Sequence, residues 1–295
     1  MSSQLHQLIN QVATVISHRP NPYRDAEEIV CHFAGTPRIT MLSSLSTSVD
    51  TKVASDCLSA ARRVSNHYPL EYVLGYADFL GLRLRVNEDV LIPRPDTETL
   101  VIETEKVINQ KCSQDALGIE KAESMRVLDM CTGSGCIAIS LKKRNPKIEV
   151  VASDISERSL YVARENANTL NTAIKFVESD CFENIKGEFD VITCNPPYIK
   201  TSLLGNLEQE ISYEPRAALD GGETGMDFYE RVAQNYRKFI KLDGVLLLEI
   251  ESQDEHTVKN LKQLFTNAQV DVINDMSNRP RVAIVKESCN GKNGV

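Results

Sequence analysis

The sequence predicts an α/β protein: a doubly wound, seven-stranded, mainly parallel sheet, preceded by a small helical bundle and a β-hairpin linker. Three observations carry that expectation. From Arg126 onward, apolar runs of strand length alternate with segments of helical apolar spacing, the pattern of βαβ units in a parallel sheet. Before residue 68 the apolar spacing is helical throughout. Between the two, residues 80–86 switch to period two. The expected division is a helical domain over 1–68, a hairpin linker over 69–92 and an α/β domain over 93–295.

In order along the chain, Leu5, Leu8, Ile9, Val12, Val15 and Ile16 predict a helix over 3–17, broken by Pro20 and Pro22. A second helix from Pro22 uses proline in its first turn, faces Ala26, Ile29, Val30 and Phe33 inward, and ends at Gly35. A Ser/Thr-rich connector over 43–48 leads to a third, with Val53, Cys57, Leu58, Ala61 and Val64 inward. In the 80–86 strand, leucines and Val86 alternate with Arg83 and Arg85, and Gly75 and Gly81 mark turns. The run Ile92-Pro93-Arg94-Pro95-Asp96-Thr97-Glu98 is held extended by its prolines, and Asp96 or Thr97 can cap a helix running through Leu100, Val101, Thr104, Val107 and Ile108. Residues 109–124 read as a polar loop. Strands are expected over 126–130, 148–153, 174–178, 188–194, 244–250, 269–274 and 281–286. Helices are expected over 136–145, 156–170, 226–241 and 254–267. Only a short break separates the last two strands, which predicts an antiparallel pair at a sheet edge. The polar tail 287–295 reads as frayed.

Bulk properties narrow the function. The 295 residues carry a net charge of −8, and residues 1–90 hold 8 basic against 9 acidic residues. That balance argues against a stable nucleic-acid partner. No apolar run reaches the ~20 residues of a membrane span, and the acid-free first 24 residues read as a helix in preference to a transit peptide. The eight cysteines are scattered, with no CxxC pair and no histidine at metal-ligand spacing. They read as reduced thiols of a cytoplasmic protein without a metal.

Val127-Leu128-Asp129-Met130-Cys131-Thr132-Gly133-Ser134-Gly135 is a strand running into a glycine loop and then a helix. In such sheets ligands bind at the carboxyl ends of the strands. Cys131, Thr132, Gly133, Ser134 and Gly135 are therefore candidate cofactor contacts. The next strand ends at Asp154, 19 residues after Gly135, an acid placed to accept hydrogen bonds from a ribose diol. The third strand is followed by Asp180, Cys181 and Phe182, suited to hold an adenine amino group and cover its ring. Gly133-x-Gly135-x-x-Ala138 followed by an acid also fits a nicotinamide site. The fourth strand discriminates. It ends in Asn195-Pro196-Pro197-Tyr198, where neither proline can join a sheet ladder. The stiff tip offers the Asn195 side-chain oxygen and the Pro196 carbonyl to the two hydrogens of a planar –NH2, and Tyr198 to its flat face. A dehydrogenase gains little from this, whereas a methyltransferase acting on an amino or amide nitrogen gains a great deal.

Taken together, these residues resemble the release factor glutamine methyltransferases. The resemblance spans nearly the whole chain. It rests on Pro69-Leu70-Glu71-Tyr72-Val73-Leu74-Gly75, the run from Val90 to Glu98, Thr132-Gly133-Ser134-Gly135, Ser153-Asp154, Asn195-Pro196-Pro197-Tyr198-Ile199 and Tyr213-Glu214-Pro215 through Gly222. It implies a Rossmann-like methyltransferase fold and S-adenosylmethionine as cofactor. The implied reaction is methylation of the side-chain nitrogen of the glutamine in the Gly-Gly-Gln motif of class 1 peptide chain release factors. It further implies a helical domain that helps hold the release factor, and a substrate amide held by Asn195, Pro196, Pro197 and Tyr198. Arg94 is expected either to contact the incoming peptide or to pin the linker. Residues 199–225 are expected to close over the substrate, and the protein is expected to act as a monomer. Departures from the family pattern are Cys131 at the first loop glycine, tolerable with a negative φ; Cys181, where an aromatic ring is usual; Glu251 and Asn278, each at a usual glycine. Two other readings remain. One is a DNA or RNA adenine N6-methyltransferase holding a flipped base on the same tip. The other is a cofactor-binding module that regulates a partner without chemistry.

Overall fold

The computed structural model describes residues 4–43, 45–115, 124–251 and 255–287. The chain divides into two compact units: Met1–Tyr76 with Glu208–Tyr213, and Ala77–Leu207 with Glu214–Val295.

The first unit is helical: α1 (Leu5–Val15), α2 (Pro22–Ala34), α3 (Arg38–Leu42), α4 (Thr51–Ser65) and α5 (Leu70–Leu74). The apolar stripes that predicted α1, α2 and α4 meet in one core, where Leu8, Val12, Ile29, Val30, Cys57, Ala61 and Val64 are fully buried. Gly35 closes α2 in the left-handed region, as its position suggested. The short α3 and α5 were not expected; α5 occupies the start of the segment read as hairpin. Arg19 gathers Asp25 at 2.6 Å and Glu210 at 2.9 Å, so a segment from late in the chain completes this unit.

The hairpin is shorter than expected and set earlier. Strands β1 (Tyr76–Phe79) and β2 (Leu82–Arg85) flank a turn at Leu80 and Gly81, with φ of 48° and 78°. The predicted 80–86 strand began inside that turn, because leucine carries no turn signal. A 3-10 turn (Pro95–Thr97) then leads into α6 (Glu98–Asp115), which continues past 109 where a loop was expected.

The sheet contains β3 (Arg126–Met130), β4 (Glu149–Asp154), β5 (Lys175–Glu178), β6 (Phe189–Cys194), β7 (Ile240–Glu249), β8 (Ala268–Asn274) and β9 (Pro280–Glu287). The helices between them are α7 (Cys136–Arg144), α8 (Glu157–Thr169), α9 (Asp227–Asn235) and α10 (Glu255–Leu264). All seven strands lie close to their expected positions, in the order β5-β4-β3-β6-β7-β9-β8. The first five are parallel, while β9 pairs antiparallel with both β7 and β8. Two apolar layers sandwich the sheet. Helices α6 and α7 cover one face around Val127, Ile139 and Val191, and α9 and α10 the other around Leu128, Ile192 and Phe265. The helix expected over 226–241 stops at Asn235, because Ile240 already pairs with Phe189 in the sheet. Asn278 does adopt the left-handed region, with φ of 60°. Among the described residues no helix is long and apolar enough to cross a membrane.

Topology places the site. Strand β3 has β4 on one side and β6 on the other, so the winding direction reverses between β3 and β6. A crevice opens at the carboxyl ends of strands at such a switch point. Met130 is level with both Ser153 and Cys194, so Cys131, Asp154 and Asn195 leave the sheet side by side.

Candidate active site

The glycine loop hangs from an acid inside β3. Asp129 is wholly buried, and its Oδ2 accepts hydrogen bonds from Thr132 Oγ1 at 2.6 Å and from the Ala138 amide at 3.2 Å. Ala138 lies in the first turn of α7, where amides have no partner within the helix. One carboxylate thus joins the start of the loop to the start of the helix. Burial pushes its pKa up to about 7, against the pull of Thr132 and Ala138.

Asp154 binds the loop from the next strand. Its Oδ2 accepts from the Gly133 amide at 2.9 Å and its Oδ1 from the Ser156 amide at 3.0 Å. Burial outweighs these bonds and lifts its pKa above the ordinary carboxylate range. Each oxygen retains a lone pair for a further donor.

The loop departs from expectation at Cys131. A negative φ was required there for tolerance, and the structure shows φ of 56°. Left-handed backbone costs an ordinary L-residue roughly 1–2 kcal/mol, so this cysteine is strained where glycine would not be. Cys181, with φ of 52°, repeats the pattern at the end of β5. Gly135 works through packing: a Cβ there would stand 3.1 Å from Ile139 Cδ1 and 3.2 Å from Ala163 Cβ. Sequence reasoning missed Asn166 of α8. Its buried amide donates to the Ser134 and Arg85 carbonyls at 2.9 and 3.0 Å and accepts from the Arg85 amide at 2.7 Å, locking the loop to β2. An amide side chain on the inward row of an amphipathic helix was the available signal.

These groups border a cavity of about 260 Å³. Cys131, Thr132, Gly133 and Ser134 form one wall, and Asp154, Asp180 and Cys181 another. Asp180 is held by Arg231 at 2.7 Å. Asn195 and Pro197 face the cavity from the tip, and the exposed Ile155 gives apolar surface at the rim. Phe182, expected beside a bound ring, does not line the cavity; it is buried and stacks on Phe239 at 4.7 Å between centroids.

The region of Arg94 is built on a further buried acid. Glu214 is buried, accepts from the Ile92 amide at 3.0 Å and pairs with the Arg94 guanidinium. Arg94 therefore pins the linker, and it also borders the cavity. Behind the tip, Asn195 Nδ2 donates to Thr97 Oγ1 at 3.3 Å and the Tyr198 hydroxyl to Glu249 Oε1 at 3.4 Å. Burial pushes the Tyr198 phenol well above its ordinary pKa, with Glu249 adding to the shift. Burial also lifts Glu249 to about 7, although the Thr97 hydroxyl, Arg281 and Tyr198 favour its charged form. The segment after the tip returns onto it: the Ile199 amide donates to the Leu219 carbonyl at 2.9 Å and the Gly221 amide to the Ile199 carbonyl at 2.8 Å. Pro215, Ala217 and Ala218 of that segment also line the cavity.

Known proteins bear on this geometry. Residues 116–224 match the family model described as methyltransferase small domain, and residues 7–75 match the PrmC N-terminal domain. The chain is 32% identical over 287 residues to the release factor glutamine methyltransferase of Thermodesulfovibrio yellowstonii, covering 95% of this chain and 98% of that one. The chain belongs to the release factor glutamine methyltransferase family. The Streptococcus pneumoniae member is 35% identical over 77% of each chain. A methyltransferase structure from Pyrococcus furiosus, 16% identical, superposes with a TM-score of 0.51 over 71% of this chain and 91% of its own, which places the fold among methyltransferases.

In this family member one further cluster escaped the sequence reading, which found no histidine at metal-ligand spacing. His18, His67 and Glu210 bring one potential ligand atom each to within 4.8 Å of one another. Both Glu210 oxygens, however, already accept from Arg19 Nη1, at 2.9 and 3.0 Å.

Proposed function

We propose that the protein methylates the side-chain amide nitrogen (N5) of the glutamine in the Gly-Gly-Gln motif of class 1 peptide chain release factors, using S-adenosylmethionine. The observation that carries the reading is the position of Asn195. It leaves the sheet beside the glycine loop and Asp154, and faces the same cavity.

The residues fit the cofactor. At Gly133 the space a Cβ would take is open, leaving a cradle at the loop. Asp154 has lone pairs for a ribose diol, Asp180 has an oxygen for an amino group, and Ile155 and Cys181 offer apolar surface. When bound, the cofactor supplies an electrophilic methyl group. Every other requirement falls on the chain. An amide nitrogen is a poor nucleophile because its lone pair is delocalised into the carbonyl. The Tyr198 phenol, its pKa raised, stays protonated and is no base. The tip therefore works by position and field. The Asn195 oxygen and the Pro196 carbonyl accept the two amide hydrogens, fix the nitrogen, and stabilise positive charge developing on it, the converse of an oxyanion hole. Orientation of this kind supplies roughly 7–11 kcal/mol. Tyr198, tied down through Glu249, packs against the amide plane. Arg94 and the 215–218 segment border the approach to the tip.

The setting consistent with this reading is the cytoplasm, with the chain acting as a monomer and without a stable nucleic-acid partner. The adenine reading finds no support in a chain of charge −8 that belongs to this family. The test mixes the protein with labelled S-adenosylmethionine and a class 1 release factor, beside the same factor with its Gly-Gly-Gln glutamine replaced, and beside DNA. Label entering only the unaltered factor is the expected result. Label entering DNA instead, or no acceptor at all, overturns the proposal.

A further inference from the structure

We infer that His18, His67 and Glu210 form a site for one divalent transition-metal ion of the zinc class, which clips the late segment 208–213 into the helical unit. The inference is independent of the reaction proposed above. One ligand atom from each of the three residues lies within 4.8 Å of the other two. Two imidazoles and a carboxylate suit zinc, with a water completing the tetrahedron. Bonds of roughly 2.0–2.2 Å hold the ligand atoms of a tetrahedral ion about 3.4 Å apart. His18 is exposed, so its ring can swing to close the set without disturbing the core.

No local spacing announces the site, because each ligand comes from a different part of the chain. Each is carried by a turn that a backbone hydrogen bond closes. His18 follows α1, where the Arg19 amide donates to the Ile16 carbonyl at 3.0 Å. His67 follows α4, its own amide donating to the Val64 carbonyl at 3.0 Å. Glu210 lies in a 3-10 turn where the Ile211 amide donates to the Glu208 carbonyl at 2.9 Å. The main chain is therefore in place before any ion arrives. The His18 and His67 rings pack edge to face, 5.3 Å between centroids. Among the described residues neither imidazole has a hydrogen-bond partner in the protein. A neutral imidazole keeps one nitrogen lone pair, and both are free for an ion. Glu210 accepts from Arg19 Nη1 with both oxygens, at 2.9 and 3.0 Å. Each carboxylate oxygen has a further lone pair, so this pairing orients Glu210 without exhausting it, as outer partners orient metal-bound carboxylates. Arg19 also pairs with Asp25 at 2.6 Å. Two carboxylates thus share one guanidinium, and the uncompensated negative charge favours a cation. Arg19 already reaches Glu210 across 191 residues of chain. An ion adds a second tie at the same place, and a tie that closes so long a loop restricts the unfolded chain most.

The test titrates zinc chloride alone into the full-length, chelator-stripped protein by calorimetry, and cobalt(II) chloride into the same protein by absorption. The expected results are one ion per chain, a Tm raised by zinc, and a cobalt spectrum of tetrahedral nitrogen and oxygen ligation without a thiolate charge-transfer band. His18→Asn and His67→Asn should each weaken zinc by roughly tenfold or more, since even changes outside the ligand set cost 10- to 100-fold, and should lose the gain in Tm. Asparagine tolerates the left-handed φ of 62° that His67 adopts. Glu210→Gln should weaken zinc as much; if loss of its Arg19 pair prevents folding, the two histidine variants decide. No zinc uptake, or uptake that both histidine variants retain in full, overturns the inference. So does a cobalt spectrum dominated by thiolate, which places the ion on the cysteines.

Discussion

Asn195 bears the chemical demand on a single side chain, because its oxygen is the acceptor that positions the reacting nitrogen. Asn195→Ala should lower transfer by roughly 100- to 1,000-fold and leave the cofactor Kd nearly unchanged, which calorimetry beside the labelled assay would show. A comparable loss in both would assign Asn195 to the cofactor instead. Cys131 bears a conformational demand at φ of 56°. A β-branched residue there meets the left-handed penalty in full, so Cys131→Val should lose about 1–2 kcal/mol of unfolding free energy where Cys131→Gly does not; urea unfolding distinguishes them. Asn195 and Asp154 could be read from the sequence because each ends an apolar run that topology alone turns toward a ligand. Asp129, Asn166 and Glu249 could not. Each is a polar residue in an apolar run or row whose use depends on distant partners, such as Tyr198 for Glu249, and no local spacing encodes such a pairing. The Cys131 backbone was misjudged for a related reason: the turn geometry, not the residue type, dictates φ.

At the scale of elements, the tip depends on the strand-like return of residues 219–221. At Gly221 a Cβ would stand 2.6 Å from Tyr198 Cα and 2.9 Å from the Pro197 carbonyl oxygen. These are main-chain atoms and cannot rotate away. Gly221→Ala should therefore displace the tip and reduce kcat by roughly tenfold or more while cofactor binding persists; unchanged turnover would mean that the return does not hold the tip. The strands were legible because buried parallel strands are short apolar runs bounded by polar ends. The hairpin was misplaced because Leu80, with φ of 48°, turns the chain without looking like a turn residue. The α9 boundary was misplaced because pairing of Ile240 with Phe189 overrides local helical spacing. Only strand order reveals that.

At the scale of the whole molecule, buried acids shape the response to pH, Asp129 and Glu249 foremost. Burial raises Asp129 and Glu249 to about 7, from ordinary values near 4. The folded chain holds protons that the unfolded chain releases, so their contribution is fully present below about pH 4 and is lost as pH rises through 7. Asp243, lowered by Lys111, loses its contribution only below that window. Urea unfolding should thus show lower stability at pH 8 than at pH 5.5, by a few kcal/mol, since each tenfold difference in proton affinity between the folded and unfolded chain is worth about 1.4 kcal/mol. Glu249→Gln should flatten the slope, and a slope unchanged in that variant would show that Glu249 does not titrate there. The discontinuity of the helical unit has its own consequence for how the protein is made. Arg19 meets Glu210 across 191 residues of chain. A ribosome releases α1 to α5 long before it releases the segment that finishes their unit, so the first part synthesised must wait, incomplete, while most of the sheet is being translated.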